Sequence, residues 1–215
     1  LQRVSRPFSD HIFAVPNKNG QMKRLLTFFF TLAVTAGLVQ AQIARVSTNL
    51  ADYACLGTLN AAVEYQPVAH WSFETGARYN NWNFGKEGNH FQDRRRTFYA
   101  GARFWPSDTC KGWWGAARIQ AEEYNRGGLF GRPQTEEGDA FGISTGLGWS
   151  HPLPYGLRMD AGLFFWGGST RFCSYAAPRC GRCLVEKGRK GFIRYDCAVI
   201  ALTYDINWRK RSDQH

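Results

Sequence analysis

Cysteines are the residues here whose type and spacing most directly suggest chemistry. Cys180 and Cys183 form a Cys-x-x-Cys pair, with Cys173 just before it, Cys197 after it and Cys55 far upstream. Thiolates at this spacing can supply half of a tetrahedral zinc site or a dithiol–disulfide redox couple. Only one such pair is present, so a zinc site would need Cys173 together with Cys197 or Cys55. The alternative is structural, with disulfides joining Cys55, Cys173, Cys180, Cys183 and Cys197. The choice depends on the compartment in which the chain folds.

The start of the chain bears on that compartment. An apolar run from Leu25 to Val39 follows Met22, Lys23 and Arg24 and ends in Val39-Gln40-Ala41, the small-residue pattern of a signal-peptidase site. Residues 22–41 therefore read as a signal peptide, and residues 1–21 as an upstream extension or a mis-assigned start. Residues 42–208 form one domain, and 209–215 a tail. A membrane anchor helix is the rival reading, although the run is short for a bilayer span. Export favours disulfides over a reducing-compartment metal site. It also reduces the basic excess: loss of Arg3, Arg6, Lys18, Lys23, Arg24 and Asp10 leaves 22 basic and 16 acidic residues. Phosphorylated lipid or an acidic surface is then a better-matched partner than nucleic acid, which is not expected.

Other catalytic chemistry has little to draw on. His70 and His151 fall near short turns, Ser150 and His151 point to opposite faces of any strand, and His90 lies near Glu87 and Asp93 without a placed serine. There is no phosphate-binding glycine loop and no metalloprotease helix, so no cofactor or metal is expected. Without a base–nucleophile set, no catalytic residues are assigned.

The elements that would position these residues are strands. Alternating segments run from Ile43 to Leu50, Thr58 to Gln66, Trp71 to Asn81, Arg95 to Trp105, Gly112 to Tyr124, Asp139 to His151, Tyr155 to Trp166 and Ile193 to Trp208. The connections Pro67–His70, Pro106–Lys111 and Pro152–Pro154 are short. Those at Ala51–Gly57, Trp82–Arg94, Asn125–Gly138 and Gly167–Phe192 are long. Short turns at one end and long loops at the other predict an all-β fold: an eight-stranded antiparallel up-and-down transmembrane β-barrel with short periplasmic turns and long extracellular loops.

One phase of these strands is uncharged, as in Phe98, Ala100, Ala102 and Phe104 or Leu157, Met159, Ala161, Leu163 and Phe165. The other carries Arg45, Glu64, Glu74, Arg78, Arg103, Arg118, Glu122, Arg158, Asp160 and Asp205. An eight-stranded barrel is filled by side chains, so ten inward charges would have to form an ion-pair network. Swapping the faces would give a soluble barrel with an apolar core. Trp71, Trp113, Trp149 and Trp208 favour the first arrangement, because all four share the uncharged phase at the short-turn end, where an interfacial aromatic girdle belongs.

Several segments also resemble a known family in their order along the chain. They are Ser47-Thr48-Asn49-Leu50, Leu59-Asn60-Ala61-Ala62-Val63-Glu64-Tyr65, Tyr79-Asn80-Asn81-Trp82, Ala102-Arg103-Phe104-Trp105 and Cys180-Gly181-Arg182-Cys183. Together they resemble an uncharacterised family of Bacteroidetes outer-membrane barrels, a domain of unknown function. The resemblance implies an exported small barrel and supplies no reaction. Arg209–His215 depart from the pattern, since such barrels commonly end at an aromatic residue.

These readings lead to a non-conducting component of the bacterial outer membrane, in contact with outer-membrane lipid and lipopolysaccharide and with other proteins of a larger assembly. In the last long loop, Arg171, Arg179, Arg182, Lys187, Arg189 and Lys190 are candidate contacts for phosphate, which guanidinium groups bind well. The alternatives are a lipid A acyltransferase- or deacylase-like enzyme, and a soluble periplasmic ligand-binding barrel.

Overall fold

Alternation of small or aromatic residues with polar ones favours extended chain, and the computed structural model contains eight strands. It describes residues 43–55, 57–86, 89–107, 111–128, 134–176 and 183–206. The strands are β1 (Ile43–Asn49), β2 (Leu59–Val68), β3 (Trp71–Lys86), β4 (Asn89–Phe104), β5 (Gly112–Gly127), β6 (Gln134–Leu153), β7 (Leu157–Ala176) and β8 (Cys183–Ile206). Each pairs antiparallel with its sequence neighbour. Pairing of β1 with β8, Ala44 opposite Ile206 through Asn49 opposite Ala201, closes the sheet into a ring.

The strands are longer than their alternation suggests. Residues 82–86, 89–94, 125–127, 134–138, 167–176 and 183–192, all expected as loop, are strand. Their ladders continue those below, Trp82 facing Asp93 and Ser169 facing Gly191, with one register shift between Ser174 and Tyr175. In these upper reaches both faces are polar or glycine-rich, so no apolar phase marks them as extended.

Two elements went unread for different reasons. Leu50, expected to end the first strand, and the start of the loop after it form a one-turn helix, α1 (Leu50–Ala54), whose first turn is capped by the Asn49 side chain accepting from the Ala51 N–H. Tyr155, in the turn between β6 and β7, adopts a left-handed φ of 63°, a conformation not expected of a bulky residue.

The shortness of β1 shapes the ring. β1 ends at Asn49, and the β2–β3 ladder ends at Leu59 opposite Tyr79, whereas β8 pairs with β7 all the way to Cys183. Below this level the ring is complete. Above it, β3 to β8 continue as a six-stranded wall, and α1 packs against β8 beside the missing portion.

Aromatic side chains pack the inside. Trp105, Trp114, Phe164 and Trp166 are fully buried, and Trp114 lies against Phe164 with ring centroids 5.8 Å apart. Glycines make room for them. A Cβ on Gly148 would lie 2.1 Å from the Trp114 ring, and one on Gly146 2.5 Å from the Phe164 ring. Gly148→Ala should therefore overpack this layer and destabilise the fold by about 1–3 kcal/mol, read as a lower urea midpoint. An unchanged midpoint would show that the indole can shift at no cost.

Candidate interior site and outer wall

Inward-pointing positions collect the charges. Arg45 bonds Glu64 at 3.1 Å and Asp205 at 2.6 Å, and Arg158 bonds Glu64 at 2.7 Å and Asp160 at 2.9 Å. Arg103 reaches Glu74 at 2.8 Å, Asp160 at 3.2 Å and Glu64 at 3.7 Å, while Arg118 pairs with Glu74. Four arginines and four carboxylates thus form one connected cluster in the lower ring. All but Asp205 are buried. The cations also lie on the buried rings: Arg158 over Trp105 at 5.1 Å, Arg103 over Trp114 at 4.6 Å and Arg118 over Phe164 at 3.6 Å. An arginine between a carboxylate fork and an aromatic face is neutralised and packed at once, which offsets the cost of burying it.

A second cluster lies above the first. Arg78 forks onto Asp196 at 3.0 and 3.3 Å and approaches Asp52 of α1 at 3.8 Å; Gln120 donates to Asp196 at 3.0 Å. Burial raises the Asp52 carboxyl above its ordinary value, with Arg78 pulling the other way. Asp196 could not be assigned from alternation, because it shares a phase with outward Ala198 and Ile200. A register shift places Phe165 opposite Tyr195 but Phe164 opposite Cys197, and the extra residue, Asp196, has its side chain buried. A charge on an otherwise apolar phase was the available signal. Between α1 and β8, Asp52, Arg78, Asp196, Cys55 and Cys197 line a cavity of about 100 Å³, smaller than an ordinary ligand pocket.

A third group occupies the upper interior. Glu122 takes bonds from Arg126 at 3.0 Å and Arg194 at 2.8 Å, Asp93 from Arg95 at 2.9 Å, and Glu136 from Lys190 at 3.0 Å. Of the ten charges singled out in the sequence, eight belong to the lowest cluster, Arg78 to the middle one and Glu122 to this one. Arg95, Arg126 and Asp93 were missed because they lay in or beside segments read as loop.

Among the described residues the cysteines do not form a metal centre. Cys55, Cys173, Cys183 and Cys197 all carry free thiols, contrary to the expected disulfides, and Cys180 and Cys110 lie outside the described residues. Register accounts for part of this. Cys173 faces Lys187 and Cys183 faces Ala176, so the two cysteines are offset by three residues, about 10 Å along the strands. That exceeds the Cα separation of about 7 Å that a disulfide tolerates. Cys55 and Cys197 line the same cavity but are not bonded to each other.

The outer wall has an apolar zone and a charged one. Phe98, Ile119, Phe141, Ile143, Leu147, Leu163, Phe165 and Ile200 are exposed, and Ile193 is 89% exposed. At the short-turn end Trp71, Trp113 and Trp149 are also exposed, with Trp113 directly opposite Trp149. Trp208 lies outside the described residues. Toward the other end the same outward phase becomes charged: Arg96 faces Glu123, Glu123 faces Asp139, Asp139 faces Arg171 and Arg171 faces Arg189.

The basic residues of the last hairpin divide between the two surfaces. Arg171, Lys187 and Arg189 are exposed on the outward phase. Lys190 points inward to Glu136 and lies 4.2 Å over the Phe172 ring. Arg179 and Arg182 lie outside the described residues.

A family model described as "Protein of unknown function (DUF3575)" matches residues 26–206. No curated protein and no solved structure matches the chain.

Proposed function

Since the chain belongs to the family described as Protein of unknown function (DUF3575), which names no reaction, we propose a role from the molecule's physical form. It is a small, non-conducting outer-membrane β-barrel that serves as a structural or interaction component of the membrane or of a larger membrane assembly. The observation that carries this reading is the inversion of polarity. Inward positions hold three groups of ion pairs, the lowest of them buried, whereas the exposed outward phase carries no charge from the tryptophan row up to the Arg96–Glu123–Asp139–Arg171–Arg189 row.

A water-soluble ring would place its ionic groups in solvent and its leucines, isoleucines and phenylalanines inside. Burying ions costs several kcal/mol each unless they are paired, so the reverse arrangement is favourable only when the outside is hydrocarbon. Trp71, Trp113 and Trp149 suit one headgroup boundary, with the charged row at the other. The filled interior supports a role without conduction, because arginine–carboxylate pairs and indoles occupy the space through which ions would pass.

Export to a membrane gives a direct test. After washing with alkaline carbonate the protein should stay in the membrane pellet, and unboiled it should migrate faster on gels than boiled. Reconstituted in planar bilayers it should give no conductance steps. Release into the carbonate supernatant would overturn the membrane reading, and reproducible single-channel steps would overturn the closed interior.

A further inference from the structure

We propose that the outer wall of β7 and β8 carries a binding site for a lipid headgroup phosphate, formed by Arg171, Arg189 and Lys187. The inference rests on the membrane reading above and adds to it a ligand class and a site. Its first support is an unfavourable pair of charges. Arg171 and Arg189 occupy directly opposite positions on adjacent strands and are both exposed. Opposed residues place their Cβ atoms only about 4.5–5.5 Å apart, and like charges there repel. Lys187 follows two residues along the same outward phase, opposite Cys173.

Among the described residues no carboxylate forms an ion pair with this cluster. Arg189 only donates to the Ser169 hydroxyl, at 2.7 Å. Asp139 faces Arg171 from β6 without forming a salt bridge to it, and Glu137 accepts from Asn125. The basic side chains of the interior differ here: Arg103, Arg158 and Arg194 each have at least one carboxylate partner, and so does Lys190. Three unpaired cations beside one another match a multiply charged oxyanion, which two guanidinium groups can fork from either side.

Height along the wall indicates which oxyanion. Ala161 is registered opposite Trp149 of the tryptophan row, and Arg171 lies ten residues further along β7. That is about 33 Å along a strand, or about 25 Å along the ring axis at the tilt usual for such sheets, close to the height of an apolar belt. Between the two lie Leu163, Phe165, Gly167 and Ser169, none of them charged. A lipid whose chains lie along Leu163, Phe165 and Ile193 therefore brings its headgroup phosphate level with Arg171 and Arg189. A free phosphate ion would have no reason to prefer this level.

The test uses the full-length protein in detergent, titrated by native mass spectrometry with bisphosphorylated lipid A, dephosphorylated lipid A and inorganic phosphate. Bisphosphorylated lipid A should bind most tightly. The double variant Arg171→Gln, Arg189→Gln should weaken it at least about tenfold while leaving dephosphorylated lipid A unaffected. The variant Arg94→Gln, on β4 across the wall, should change neither. If the double variant does not fold, wild-type binding should still fall with added salt. Equal binding of the two lipids, an unweakened double variant, binding insensitive to salt, or inorganic phosphate competing at matched concentration would each overturn the site. The membrane reading stands or falls separately, on carbonate extraction.

Discussion

Arg103→Ala should lower the stability of the ring by about 3–5 kcal/mol, the largest effect expected for any single charge in the interior. Its guanidinium is shared by Glu74 at 2.8 Å, Asp160 at 3.2 Å and Glu64 at 3.7 Å, and it also covers the Trp114 ring. Truncation leaves Glu74 with Arg118 alone and takes one cation from a cluster of four arginines and four carboxylates. The remaining carboxylates are buried and cannot recover water, so their desolvation is no longer compensated. Arg103→Lys should restore only part of the loss, because an ammonium cannot span three carboxylates as a planar fork does. Urea titration in detergent, followed by the gel shift between folded and unfolded forms, reads both variants. An Arg103→Ala ring as resistant as wild type would show that the cluster adds nothing net to stability.

Trp114→Ala should cost a similar amount, about 3–5 kcal/mol, through a different term. The indole is fully buried between the Arg103 guanidinium, Phe164 and Trp105, and it rests on Gly148 and Gly162, where no Cβ could fit. Its Nε1 has no hydrogen-bond partner among the described residues, so the loss is one of packing and of the cation–ring contact. Trp114→Phe should therefore retain more than half of the stability. The two glycines cannot move in to fill the gap, since backbone is already close on that side. The measurement is again the urea midpoint, with indole fluorescence confirming that the other tryptophans remain in place.

How far these sites could be read from the chain depended on where alternation was strong. Runs such as Phe98-x-Ala100-x-Ala102-x-Phe104 have one apolar phase and one polar phase, and this was enough for the number of strands, their order and the common phase of the charges. Alternation fades where both faces carry polar residues or glycine. Residues 183–192 carry lysine and glycine on either phase, and only their pairing with β7 makes them strand. Asp196 was hidden for a stricter reason, because a single extra residue reverses the facing of everything before it. The fully buried Trp105 and Trp166 stand at the ends of the segments read as strands, where nothing local distinguishes an inward indole from an outward one. The thiols show the opposite failure. Their clustering in sequence is real, but three residues of stagger keep Cys173 and Cys183 apart.

The early end of β1 gives the molecule two mechanical regimes. Where the hydrogen-bond circuit is complete, bending one strand strains every other, and the lower part should behave as a stiff cylinder. Above Asn49 the circuit is cut, and the β3–β8 wall can coil or uncoil about its own twist without breaking a ladder. Any deformation imposed on the outer half by a lipid or a neighbouring protein would stop at the level of α1, leaving the ion-paired interior below undisturbed.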